Sequence, residues 1–215
     1  MIRARLPRRI RAAIPALAAG LALTASPAAA TQDPHADPRA MTILGNDANA
    51  RRCGQNVAGG DSSDATIAAC TRALEYRRLT REAQVQLLVN RGVTHLRRQQ
   101  NELAVADFDA VIVIDGENAE AHLNRGAALV QLRRYGPAIA SLTEALGLGV
   151  QEPHKAYFNR GIAREALGDL RGAFEDYTTA LQIEPDWGPA SAELARFARA
   201  RREHLATVLD EPTTP

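Results

Sequence analysis

From residue 61 to about residue 208, apolar side chains recur three and four positions apart, as in Ile67, Cys70, Ala73 and Leu74. That spacing predicts amphipathic helices. Polar, glycine and proline clusters interrupt it near Leu79-Thr80, Gln99–Asn101, Asp115-Gly116, Arg134–Pro137, Gly147–Pro153, Gly168-Asp169 and Pro185–Pro189. The expected elements are therefore helices of about a dozen residues joined by short connections, the first of them capped within Asp61–Asp64. No run alternates as a half-buried strand should. The one β-like stretch, "VIVID" at 111–115, is placed by its neighbours at the end of a helix.

A repeat underlies the breaks. Asn-Arg-Gly stands at 90–92, 124–126 and 159–161, at intervals of 34 and 35 residues. Twelve residues beyond each glycine stands an alanine (Ala104, Ala138, Ala173). Four further on comes a bulky residue (Phe108, Leu142, Tyr177), then Val111, Ala145 and Ala180. Glycine and alanine at this interval put small residues on facing sides of two antiparallel helices, which can then approach closely. The bulky residue fills the space beside them.

This period and these positions resemble the tetratricopeptide repeat, a helix–turn–helix unit. Counting Gly92, Gly126 and Gly161 as repeat position 8, the unit at 154–187 fits best, with Gly161, Ala173, Tyr177, Ala180 and Pro185. The first unit departs at Val111 and Gly116, and the second carries one extra residue before Pro153. "TIAACTRALE" at 66–75 looks like the second helix of an earlier, incomplete repeat. The resemblance implies an all-α, right-handed helical-hairpin solenoid: three repeats over 85–187, a half repeat and linker over 53–84, and a capping helix over 188–209. Terminal units of such stacks need a cap, and Leu194, Phe197, Arg201 and Leu205 recur on the face that would supply it.

Two readings of the triplets stay open. Asn90-Arg91-Gly92, Asn124-Arg125-Gly126 and Asn159-Arg160-Gly161 are joints in which glycine admits the facing helix and arginine finds acceptors. Asp107, Asp109, Glu144, Glu175 and Asp176 are the candidate acceptors, because an arginine in a packed interior must be paired or reach water. Alternatively, the triplets form a ladder that holds a ligand carboxylate. The resembled family has a five-residue clamp for a peptide C-terminus, of which Asn124 and Lys155 match while Val89, Val93 and Asn159 do not. Family analogy also lines the concave face with an apolar stripe: Val89, Val93, Leu96, Leu123, Ala127, Val130, Lys155, Phe158 and Ile162, with Gln86, Glu120 and Glu165 at its ends. An apolar stripe with charged ends suits a bound helix or extended peptide. Coverage by residues 31–50 or by a second copy is the alternative.

Composition adds compartment. Residues 1–30 hold five arginines and no acid, then a short apolar run, then Ala28-x-Ala30. That is the layout of a secretory signal peptide cleaved before Thr31, too short for a membrane span, although a retained basic leader has the same composition. Without it the chain has 21 basic and 25 acidic groups, a poor balance for binding nucleic acid. Residues 31–52 read as a flexible leader and 210–215 as a disordered tail. In an oxidising compartment the lone pair Cys53 and Cys70 favours a disulfide over free thiols.

Catalytic and metal patterns do not appear. The five histidines lack metal-ligand spacing, and no nucleophile elbow or phosphate loop is present. No cofactor is expected. The sequence thus points to a protein–protein interaction module of the periplasm that binds a peptide or helix. A self-associating structural protein, with a homodimer, is the alternative, and an enzyme a distant third.

Overall fold

A computed structural model describes residues 47–76 and 78–210, which form helices joined by short turns, with no strand among them. They are α1 (Ala48–Ala58), α2 (Asp64–Leu74), α3 (Arg81–Arg97), α4 (Asn101–Ile114), α5 (Ala119–Gln131), α6 (Tyr135–Gly147), α7 (Pro153–Ala166), α8 (Leu170–Ile183) and α9 (Gly188–Asp210). The expected signal segment 1–30, most of the leader and residues 211–215 lie outside the described residues, as do the side chains of Arg201 and Leu205. Helix starts follow the caps. Ser63, Thr80 and Asn118 accept a backbone N–H three residues on, and Pro153 opens α7. "VIVID" does end a helix, since α4 runs to Ile114.

Successive helices pair into hairpins α1/α2, α3/α4, α5/α6 and α7/α8, which stack in order, with α9 against α8. Each later hairpin turns through one left-handed residue: Gln99 (φ 59°), Arg133 (φ 58°) and Gly168 (φ 86°). These three residues stand at the same place, seven positions after Gly92, Gly126 and Gly161.

Inside each hairpin the small-against-bulky contact is as tight as the sequence demands. A Cβ built on Gly92 would lie 2.8 Å from Phe108, one on Gly126 2.5 Å from Leu142, and one on Gly161 2.7 Å from Tyr177. Ala104, Ala138 and Ala173 are buried at the same crossings, with Val111, Ala145 and Ala180 behind them.

Two expectations about the N-terminal region change. The leader does not extend to residue 52, because Asp47 caps α1 by accepting from Asn49 and Ala50 (2.7 and 2.9 Å). Cys53 is therefore inside a helix, and the half repeat expected over 53–84 is a complete hairpin that begins at Ala48. Gly54 precedes Cys70 by the same sixteen residues that separate Gly92 from Phe108. Glycines at 54, 59 and 60 lower helix propensity enough to hide α1 from pattern reading. Tertiary contacts stabilise it: Arg97 donates to the Val57 carbonyl (2.8 Å) and Arg98 to that of Ser62 (3.0 Å). The Cys53–Cys70 disulfide, fully buried, ties α1 to α2.

The other end is closed by aromatic rings. Trp187 meets His154 and Phe158, Phe158 meets Tyr177, and Tyr177 and Phe174 meet Phe197 of α9, with centroids 4.8–6.1 Å apart. Arg196 of α9 reaches Glu165 of α7 at 2.6 Å, and the same carboxylate accepts the Tyr177 hydroxyl. Burial beside that carboxylate holds the Tyr177 phenol well above its usual titration range.

Closing a loop of this length by a disulfide contributes roughly 3 kcal/mol. Cys53→Ser with Cys70→Ser is therefore expected to speed amide exchange across 48–74 while leaving 101–183 protected. Unchanged exchange in α1 and α2 would show the bridge to be dispensable. Gly126→Ala is expected to cost about 1–3 kcal/mol in urea unfolding through overpacking against Leu142. Gly136→Ala, with nothing within 4 Å, is the control and should not destabilise.

Candidate functional site

The triplet arginines form the most regular polar feature of the stack. Arg91 grips Asp107 of its own hairpin with two nitrogens (2.6 and 3.0 Å) and donates to Thr71 of the preceding one (3.2 Å). Arg160 does the same with Asp176 (2.8 and 3.0 Å) and Thr143 (3.2 Å). Arg125 exchanges the two sides, pairing with Asp109 of the preceding hairpin and donating to Ser141 of its own, both at 2.5 Å. Asp107, Ser141 and Asp176 each stand fifteen residues after a triplet glycine, while Asp109 and Thr143 stand seventeen after. Each arginine thus bridges the second helices of two successive hairpins. Within the triplets the arginines lie between successive hairpins and the glycines at the crossing inside each.

Of the acceptors expected from sequence, Glu175 pairs with Arg171 on its own helix instead. Glu144 lines an open cleft of about 310 Å³ with Ile112, His122, Arg125 and Ser141. The bonding of Arg160 to Asp176 strengthens its hold on its proton. Asp107 and Asp176 are nearly inaccessible, and a buried carboxylate is tolerable only when paired.

The concave stripe differs from expectation. Val93, Leu96, Leu123, Ala127, Val130 and Lys155 are buried, Leu123 to 4% exposure, and Val89, Phe158 and Ile162 are half-buried. Val93, Leu96, Leu123 and Val130 join one hydrophobic cluster with Phe108 and Leu142. In α5 only His122, Arg125 and Gln131 have more than slight exposure beyond Ala121. The apolar stripe is therefore not open to solvent across the middle repeat; spacing predicts which side chains share a face, not whether that face is left uncovered.

The triplet asparagines are buried and unlike one another. Gln86 donates to the Asn90 Oδ1 at 3.1 Å, which shows that side chains one turn apart on this face meet. At the equivalent place in α7, Lys155 is drawn instead to Glu152 (2.7 Å). The Asn159 Oδ1 and the Glu152 Oε2 are both buried without a partner. Glu120 of α5 accepts the Gln151 N–H at 3.1 Å, and burial raises its carboxyl above the usual range, opposed by that N–H and by Lys155. Burial and the Lys155 charge lower His154. Lys155, the cation that a carboxylate clamp would use, is thus already paired with the residue that precedes its helix. Among the described residues no group of three or more His, Cys, Asp or Glu side chains is placed to hold a metal ion, and no helix is long and apolar enough to cross a membrane.

Residues 154–187 match the tetratricopeptide repeat family model, and they are α7, α8 and the turn after them. The fold is a tetratricopeptide-repeat solenoid. RNA polymerase II-associated protein 3 of Xenopus tropicalis is 29% identical over 121 residues, 56% of this chain and 18% of that protein. The chain thus spans less than a fifth of that relative's length. The OM64 repeat domain of Arabidopsis superposes with a TM-score of 0.54 at 27% identity, covering 56% of this chain and 99% of that one. The second repeat domain of human RNA polymerase II-associated protein 3, solved with the HSP70 peptide SGPTIEEVD, gives 0.51 at 31% identity, covering 54% and 97%.

The bridges generate a test. Arg91→Leu leaves the buried Asp107 without its main partner and is expected to cost about 3 kcal/mol in urea unfolding. Arg91→Leu with Asp107→Ala, removing both charges, should recover most of that. A double variant as unstable as the single one would mean the loss is packing, not the stranded charge.

Proposed function

We propose that this tetratricopeptide-repeat solenoid is a protein-interaction module whose concave face, toward α7, takes a segment of another protein. The likeness to the human repeat domain solved with a bound HSP70 peptide carries this reading. The half-buried Phe158 and Ile162 of α7, with Trp187 beside Phe158, mark the accessible end of the face. Because the middle of the stripe is closed, Leu123 belongs to the stability of the stack, and Phe158 to the accessible end. The paired Lys155 and the mismatched Val89, Val93 and Asn159 set this face apart from a clamp for a C-terminal carboxylate.

We also propose export to the periplasm. Its supports are the basic, apolar and Ala-x-Ala order of residues 1–30 and the Cys53–Cys70 bridge, which persists in oxidising compartments.

Both readings meet in one experiment. A photo-crosslinking residue placed at Phe158 in producing cells is expected to capture a discrete second protein, and the captured chain should begin at Thr31 by intact mass. The same residue at Val113, 86% exposed on a second helix, should capture none. Equal capture from both sites would remove the case for the concave face, capture only of a second copy would make the protein self-associating, and a chain still beginning at Met1 would refute export and cleavage.

A further inference from the structure

The accessible end of the concave face carries a charge pattern that names the chemistry of its ligand. Helices α5 and α7 pack directly against each other, and between their N-terminal ends sit Glu120, Glu152, Lys155 and His154. Glu184 is close enough to act electrostatically on His154. Two carboxylates, Glu120 and Glu152, therefore stand against one ammonium, which is bonded to Glu152 through a single oxygen, Oε1.

Two buried acceptors here lack a donor. Glu152 Oε2 is buried and bonded to nothing, and so is the Oδ1 of Asn159, a residue only 6% exposed. Asn159 lies one turn after Lys155, and the Gln86–Asn90 bond in the equivalent turn of α3 shows that side chains so placed come within reach of each other. Buried acceptors without donors are rare in folded proteins because desolvation is then uncompensated. A carboxylate entering here would bring further acceptors and negative charge. A group bearing N–H donors and positive charge would satisfy both orphan oxygens and the excess of carboxylates.

We infer that the recess formed by Glu120, Glu152 and Asn159 receives a lysine or arginine side chain from the partner segment, an inference that rests on the concave face being the partner site. The cation lies across the α5–α7 seam and donates to Glu152 Oε2 and Asn159 Oδ1, leaving the Lys155–Glu152 pair intact. Adjacent Phe158 and Trp187 present ring faces and edges to its methylene stem. Charge complementarity of this kind selects the partner and orients it.

The test uses the full mature chain and a random dodecamer peptide library displayed on phage. Selected peptides are expected to share a lysine or arginine at one fixed position flanked by apolar residues. Replacing that residue by norleucine should weaken binding about tenfold or more, as loss of a charge-assisted contact does. Glu120→Gln with Glu152→Gln should erase the preference, with the melting temperature followed to show that the stack stays folded, and Asn159→Leu should weaken the basic peptide more than its norleucine version. Enrichment of acidic or free C-terminal carboxylate motifs would overturn this inference while upholding the concave face as a partner site. Selection of no peptide, or of peptides indifferent to Phe158→Ala, would overturn both.

Discussion

Everything in this stack depends on how closely two helices cross. At Gly92, Gly126 and Gly161 there is no room for even a methyl group, because Phe108, Leu142 and Tyr177 occupy the space it would need. That contact fixes the distance between the helices of a hairpin. It thereby fixes where the second helix presents its outer side chains to the next hairpin. The arginine preceding each glycine is held at the same depth in every repeat, so its guanidinium always arrives between two successive second helices. Residues fifteen and seventeen positions beyond the glycine supply its acceptors each time. A steric constraint within one hairpin thus sets the geometry of an electrostatic joint between hairpins.

The joint is chemically tolerant where the crossing is not. Asp107 and Asp176 serve their own hairpins, whereas at Arg125 the carboxylate comes from Asp109 on the neighbour and a serine takes the near side. A guanidinium has five donors in a planar fork and can be satisfied by either arrangement. In the first hairpin a buried disulfide at Cys53 stands immediately before Gly54, where the other repeats have arginine. That hairpin has no preceding neighbour among the described helices to bridge to, and a covalent link between its own two helices stabilises it without one. At the opposite end, rings replace the stacking hairpin. His154, Phe158, Phe174, Tyr177, Trp187 and Phe197 make a continuous run in a chain poor in aromatics. These side chains have the area to bury a terminal repeat against a single helix.

The same regularity makes the concave face informative where it breaks. Gln86 and Asn90 satisfy each other in α3. In α7 the corresponding lysine turns to Glu152 and leaves Asn159 with a buried, unpaired oxygen. The pairing that satisfies this face in α3 is thus broken in α7, where the lysine and the asparagine no longer serve each other.

Helix periodicity, the spacing of Asn-Arg-Gly and the small–bulky register were legible in the sequence, because local geometry and hairpin packing impose them residue by residue. They determined the helix boundaries from Arg81 onward, the stacking order and the role of the glycines, while the cysteine count and the expected oxidising compartment pointed to the Cys53–Cys70 bridge. Three things were decided only by the tertiary structure. Helix α1 forms although its glycines argue against it, since Arg97, Arg98 and the disulfide stabilise it from outside its own segment. The choice among acidic residues, Asp107, Asp109 and Asp176 over Glu144 and Glu175, depended on which carboxylates the stacking brings within reach of a guanidinium. The burial of Leu123, Ala127 and Val130 was invisible to a pattern that places side chains on a common face, because exposure depends on what packs over that face, and packing is a property of the whole stack.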